Sequence, residues 1–356
     1  MRTALLTALL AATLPAQDPV LLGRVPMSGI IDIEPGRYVS ADVDDLLAVR
    51  DLGQSRLSTR PGSSPAEAGF VSLSLLRLFE DRLEPVWSSP PLLARALPGA
   101  GLAAGAWTSA DVDADGLLEL LLFAGDSCTV MHFDTTLTEV VQVPGAWVTG
   151  AVACDVDADS APEIVTLELS PTDTALGSRL LRVYEATVSG LLPASGYIAG
   201  LRWTGGLAAE LTGTARLEDY EGELPVLVAV HDTPRPSLYG VLFRPGPDSF
   251  AFTDRPFPWQ EWFSKDRVLP AGKLKLFNVG DTLVGYGYFV PGSRPGGPAE
   301  SFAALADGEW RLLPLREDAA RISSPLCRFT RANVAGWLEL RDDIFRFHPG
   351  DVFDWR

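Results

Sequence analysis

The residues with the clearest chemistry are Asp111, Asp113 and Asp115, which alternate along one short stretch ahead of Gly116, Leu117 and Glu119. Alternating carboxylates on a tight loop present their oxygens to one concave side. Gly116 permits the bend, the Leu117 carbonyl turns inward, and Glu119 closes the set. Together they suit calcium, which takes roughly six to eight oxygen ligands at flexible distances. The pattern returns as Asp155, Asp157, Asp159, the Ala161 carbonyl and Glu163, with Ser160 replacing the glycine and Pro162 stiffening the exit. Each loop feeds an apolar run with strand character, whereas an EF-hand loop lies between helices and closes on a later acid. The competing reading of either loop is an acidic Asx-type turn that holds no ion.

The elements that must position these loops recur along the chain. Apolar runs follow the loops at 118–123 and 164–169, and a run at 46–49 follows Asp42, Asp44 and Asp45. Further on in each unit lies a later strand, at 75–80, 129–134 and 180–185, and the first and third of these match nearly residue for residue. Three worn copies follow: one carries Asp219, Glu221, Gly222 and Pro225, the next Asn278, Gly280 and Asp281, and the last Asn333 to Leu340. Strand pairs with period-two alternation and turn residues between them indicate antiparallel sheet. Units of about 40–50 residues with four strands indicate propeller blades. The expected fold is therefore an all-β propeller of four-stranded antiparallel blades, six in number. Seven is the alternative if residues 18–33 build a blade of their own.

Composition sets further bounds. Lys and Arg total 29 against 46 Asp and Glu, a formal charge of −17, which argues against a nucleic-acid partner. The 33 glycines and 28 prolines imply many turns and short strands. Met1-Arg2 followed by an apolar stretch to Leu14 has the layout of an export signal, so residues 1–16 are expected to be a signal peptide and 17–356 the propeller, secreted or periplasmic. No later stretch is long and apolar enough for an integral membrane helix. Cys128, Cys154 and Cys327 are too few for a disulfide scaffold and sit in strand-like surroundings as small core residues, with one disulfide plus a free thiol also open. The histidines His132, His231 and His348 lie on or beside strands, where packed or surface roles are commonest. No catalytic motif is recognisable. An aromatic-rich stretch, 255–263, could present a glycan or peptide platform or fold its rings onto the propeller.

The two loops, Asp111 to Glu119 and Asp155 to Glu163, resemble the calcium loops of FG-GAP/VCBS-type β-propellers, the family that includes the integrin α-subunit head. The resemblance implies a loop between the first two strands of a blade and a structural Ca2+ ion. It also implies a non-enzymatic module that binds a protein or glycan. A calcium-dependent polysaccharide lyase or other glycan-active enzyme is the alternative, since propellers of that class also use calcium and acidic clefts. The family's Phe-Gly and Gly-Ala-Pro signatures are absent, and four of the six units depart from the loop pattern.

Overall fold

The computed structural model describes residues 19–24, 27–42, 44–57, 66–96, 106–124, 127–134, 138–142, 147–155, 161–169, 179–187, 190–193, 208–216, 226–233, 237–244, 251–252, 257–258, 268–279, 282–291, 299–306, 309–319, 322 and 326–355. These residues are almost wholly β-structure. Strand β1 spans Val20–Arg24. The first sheet holds β2 (Ile30–Gly36), β3 (Asp45–Leu57), β4 (Ala66–Phe79), β5 (Arg82–Ser88) and β6 (Leu92–Ala96). The second holds β7 (Ala106–Ala110), β8 (Glu119–Ala124), β9 (Ser127–Met131) and β10 (Thr138–Gln142). The third holds β11 (Trp147–Cys154), β12 (Glu163–Leu169), β13 (Arg179–Thr187) and β14 (Gly190–Pro193). The fourth holds β15 (Ala208–Arg216), β16 (Val226–Thr233), β17 (Ser237–Arg244), β18 (Ala251–Phe252) and β19 (Phe257–Pro258). The fifth holds β20 (Val268–Val279), β21 (Thr282–Pro291), β22 (Ala299–Ala306) and β23 (Glu309–Leu312). After a 3-10 turn at Glu317–Ala319, the last sheet holds β24 (Leu326–Arg331), β25 (Val334–Arg341) and β26 (Ile344–Pro349), with β1 on its outer edge. Every pairing is antiparallel, and the sheets are arranged as a propeller.

The inner strands explain the order. β2, β7, β11, β15, β20 and β24 each open a sheet and lie toward its neighbours, with β7 beside β11, β11 beside β15, β15 beside β20 and β2 beside β24. Chain order therefore runs outward within each sheet. The exception is the last sheet, whose fourth strand comes from the opposite end of the chain: Val20 pairs with Phe347 and Leu21 with Arg346.

Two details depart from the expected blade. Four of the sheets have four strands, but the first and fourth have five. In the first, β3 and β4 are 13 and 14 residues long, so β5 covers only the 74–79 half of β4, and β6 pairs with Ala68 to Val71 beyond it. The described residues among 18–33 build no separate sheet, since β1 completes the last sheet and β2 opens the first.

The core lies between sheets. On β3, Leu47 and Val49 pack with Leu73, Leu75 and Leu120 toward the second sheet, while Leu46 and Ala48 pack with Phe329, Leu338 and Phe345 toward the last. On β8, Leu120 faces the first sheet, while Leu121 and Phe123 face Val148, Ile164 and Tyr184 of the third. A strand covered on both faces needs apolar residues at successive positions, which is why these strands read as runs rather than alternations. Between the fifth and last sheets an aromatic group takes over, with Phe302 edge-on to Trp337 at 5.7 Å and to Phe353 at 5.0 Å. Among the described residues, Cys128 and Cys327 are buried free thiols, and burial pushes Cys128 up to about 12.

Candidate metal centre

The Asp111 loop connects β7 to β8, the first two strands of its sheet. The loop is built by its own carboxylates. Asp111 Oδ1 accepts the Asp115 amide at 3.1 Å, and its Oδ2 accepts the Gly116 amide at 3.0 Å. Asp113 Oδ1 also accepts Asp115 N, at 3.2 Å, and Asp115 Oδ1 accepts Leu117 N at 2.8 Å. These bonds wrap the backbone around the acids. The wrap uses left-handed backbone at Ala114 (φ 63°) and Gly116 (φ 88°), and only the second falls on a residue that adopts it freely.

The outcome is one carboxylate oxygen from each of Asp111, Asp113 and Asp115 within 4.8 Å of one another. Three converging hard oxygens at a surface loop suit a divalent cation of the calcium, magnesium or manganese kind. Glu119 sits below them as the first residue of β8, only 2% exposed, and its Oε2 accepts Val112 N at 2.8 Å. Burial pushes its carboxyl up to about 7; Asp113 and Asp115 push the same way, while the Val112 amide and His132 oppose it.

The loop is fastened to the neighbouring sheet. Leu118 N donates to Arg37 O at 2.7 Å, and Tyr38 Oη lies 2.7 Å from Ser109 Oγ. Gly36 makes the approach possible, because a Cβ there would lie 2.7 Å from both Leu118 Cδ1 and the Tyr38 ring. On the other side of the first sheet, Thr330 N donates to Asp44 Oδ2 at 2.8 Å. The loops that follow β2 and β7 are thus bonded to each other, and the first of them is bonded also to β24.

His132 also belongs to this centre. The β8–β9 register sets Leu120 against Met131, so His132 lies opposite Glu119. Its Nδ1 is 3.4 Å from Glu119 Oε1 and 3.7 Å from Asp113 Oδ2. Phe133, the next residue, is wedged edge-on against Tyr38 at 5.9 Å and Trp87 at 5.3 Å, which holds this corner in place. Sequence spacing could not reveal the contact, since it requires the strand register; an acid opening one strand and a histidine closing the next was the only available signal.

The second loop is described at its ends. Asp155 follows β11, Ala161 is exposed, and Glu163 opens β12 with 3% exposure, the same place that Glu119 holds on β8. Asp157 and Asp159 lie outside the described residues, as do Asp219, Glu221, Gly280 and Asp281.

The first and last units depart from this loop. Asp42 and Asp44 do not occupy ligand positions. The equivalent of Glu119 is Asp45, which opens β3 and whose Oδ2 accepts the Tyr38 and Val39 amides at 3.3 and 3.1 Å. Asn333 belongs to no acidic loop. With Ala332 it forms a two-residue turn between β24 and β25, both at positive φ (64° and 47°), the geometry of a tight hairpin.

No family model matches this chain, and no curated protein matches it.

Proposed function

We propose that this chain is an exported calcium-binding β-propeller of the FG-GAP/VCBS type. It would act as a non-enzymatic binding or scaffold module for a protein or glycan. The observation that carries this reading is the convergence of Asp111, Asp113 and Asp115 on a loop bonded to the neighbouring sheet. An ion there would neutralise three clustered charges and fasten the loop that joins two blades. Asp111, Asp113, Asp115, the Leu117 carbonyl and Glu119 would hold one calcium ion, and Asp155, Asp157, Asp159, the Ala161 carbonyl and Glu163 a second. Cleavage after residue 16 would leave β1 whole, since it begins at Val20.

The inner strands are tied to one another across sheets. Lys275 of the inner strand β20 forms an ion pair with Asp32 and donates to Ile33 O at 3.1 Å and Leu326 O at 3.4 Å. One ammonium thus ties together inner strands from three sheets.

Thermal unfolding with calcium and with chelator tests the metal assignment. Calcium at about one hundred times its Kd should stabilise the wild type by about 2.7 kcal/mol. Asp113→Ala should lose most of that gain, whereas Asp42→Ala, an exposed acid outside the cluster, should keep it. Identical melting of the wild type in both conditions would remove calcium from the account.

A further inference from the structure

Asp113 divides its two oxygens between two directions. Oδ1 accepts Asp115 N at 3.2 Å within the outer loop, while Oδ2 faces His132 Nδ1 at 3.7 Å. Glu119 divides similarly, with Oε2 on the Val112 amide and Oε1 3.4 Å from His132 Nδ1. One donor atom from each of Asp113, Glu119 and His132 lies within 4.8 Å of the others. This inner group differs from the outer one in chemistry, because it includes an imidazole nitrogen. The His132 side chain is 11% exposed and that of Glu119 2%.

The separations are informative. An N–H···O hydrogen bond spans about 2.7–3.2 Å, so neither imidazole contact is a good one. Ligand atoms about 2.1 Å from a tetrahedral zinc ion lie about 3.4 Å from one another. The observed 3.4 and 3.7 Å fit the edges of such a polyhedron better than they fit hydrogen bonds.

The first sheet shows what the same position looks like with a counter-charge built in. Asp45 replaces Glu119, and Arg77, in the place of His132, lies with its Nε 3.8 Å from Asp45 Oδ1. A guanidinium is permanently charged and cannot ligate a metal. The second sheet has instead a nitrogen with a lone pair, beside two carboxylates where the first sheet has one cation and one acid.

We propose that Asp113, Glu119 and His132 form an inner subsite for a zinc-class divalent cation, with Asp113 and Glu119 shared between it and the outer oxygen site. The bridging role rests on the calcium reading above; the inner triad does not. His132 would ligate through Nδ1 and carry its proton on Nε2. Imidazole with carboxylates suits zinc and its neighbours, whereas calcium takes oxygen alone. Three protein ligands leave a fourth position for water or for an acidic group of a bound partner.

Cobalt(II) is the probe, because its visible absorption reports binding and a nitrogen-containing, low-coordinate shell. Metal-stripped wild type should take up Co2+ with such a spectrum, and Zn2+ should displace it. His132→Arg copies the Asp45–Arg77 arrangement and should fold in chelator but show no Co2+ spectrum. If that variant does not fold, His132→Gln, similar in size and without a ring nitrogen, should give the same loss. Asp111→Ala should retain the Co2+ spectrum while losing the calcium response. No Co2+ uptake by the wild type, or uptake undiminished by either His132 substitution, would overturn the inner subsite. Co2+ uptake without any calcium response would reject the calcium reading alone.

Discussion

A buried carboxylate opens the second strand in three successive sheets: Asp45 at 0% exposure, Glu119 at 2% and Glu163 at 3%. Burying an acid is costly unless a charge or hydrogen bonds answer it. Glu119 was legible in the sequence as the acid that closes a run of alternating carboxylates. Asp45 stands out less, because Asp42 and Asp44 precede it without the full alternating set; its marker is an acid directly followed by an apolar run. Asp45 also supplies a test. Burial raises its pKa, while the Tyr38 and Val39 amides and Arg77 oppose that shift. A raised folded-state value means the native protein holds this proton more tightly than the unfolded chain does. The resulting stabilisation is fully present below about pH 3.9, the ordinary aspartate value, and is lost as pH rises through the higher native value. Asp45→Asn keeps an oxygen for both amides and removes the titration. Urea unfolding at a series of pH values should therefore show a smaller loss of stability above pH 4 in the variant. Parallel profiles would remove Asp45 from the pH dependence.

At the scale of elements, the runs at 46–49 and 118–123 were readable as strands because both faces of those strands are covered. What the chain order concealed was length and turn type. β3 and β4 outgrow their sheet, so β6 finds a place on the excess of β4 that no four-strand repeat anticipates. The Ala332-Asn333 turn resembles a loop remnant in sequence because asparagine suits both a ligand position and left-handed backbone. The contact between Gly36 and Leu118 is a further feature that only packing exposes. An added methyl at Gly36 would meet Leu118 and the Tyr38 ring, both at 2.7 Å, forcing apart the two elements that Leu118 N and Arg37 O join. Overpacking of this kind costs about 1–3 kcal/mol. Gly36→Ala should lower stability by that amount and expose the Leu118 amide to hydrogen exchange. An unchanged exchange rate at Leu118 would show that the loop is held by other contacts.

At the scale of the whole molecule, the radial order was visible in the repeats, but the closure was not. Residues 18–33 carry no loop motif, so nothing in their sequence assigns β1 to a sheet more than 300 residues away. The assignment comes from geometry: the last sheet has only three strands from its own segment, and β1 supplies the outer edge. Leu22 is the residue that makes this closure energetic. It is 1% exposed and packs in the cluster shared by the last and first sheets, with Phe347, Phe345, Leu83 and Leu338. Its neighbour Leu21 points outward at 59% exposure. Leu22→Ala should cost about 2–5 kcal/mol, as truncations of buried leucine do, while Leu21→Ala should stay within about 0.5 kcal/mol. If closing the ring makes the sheets one cooperative unit, the urea midpoint of Leu22→Ala should fall with an unchanged slope, because the surface exposed on unfolding is the same. A lower slope or a second transition would mean instead that the last and first sheets separate before the rest unfolds. Equal effects of the two leucine substitutions would show that β1 adds its backbone to the sheet but no core to the ring.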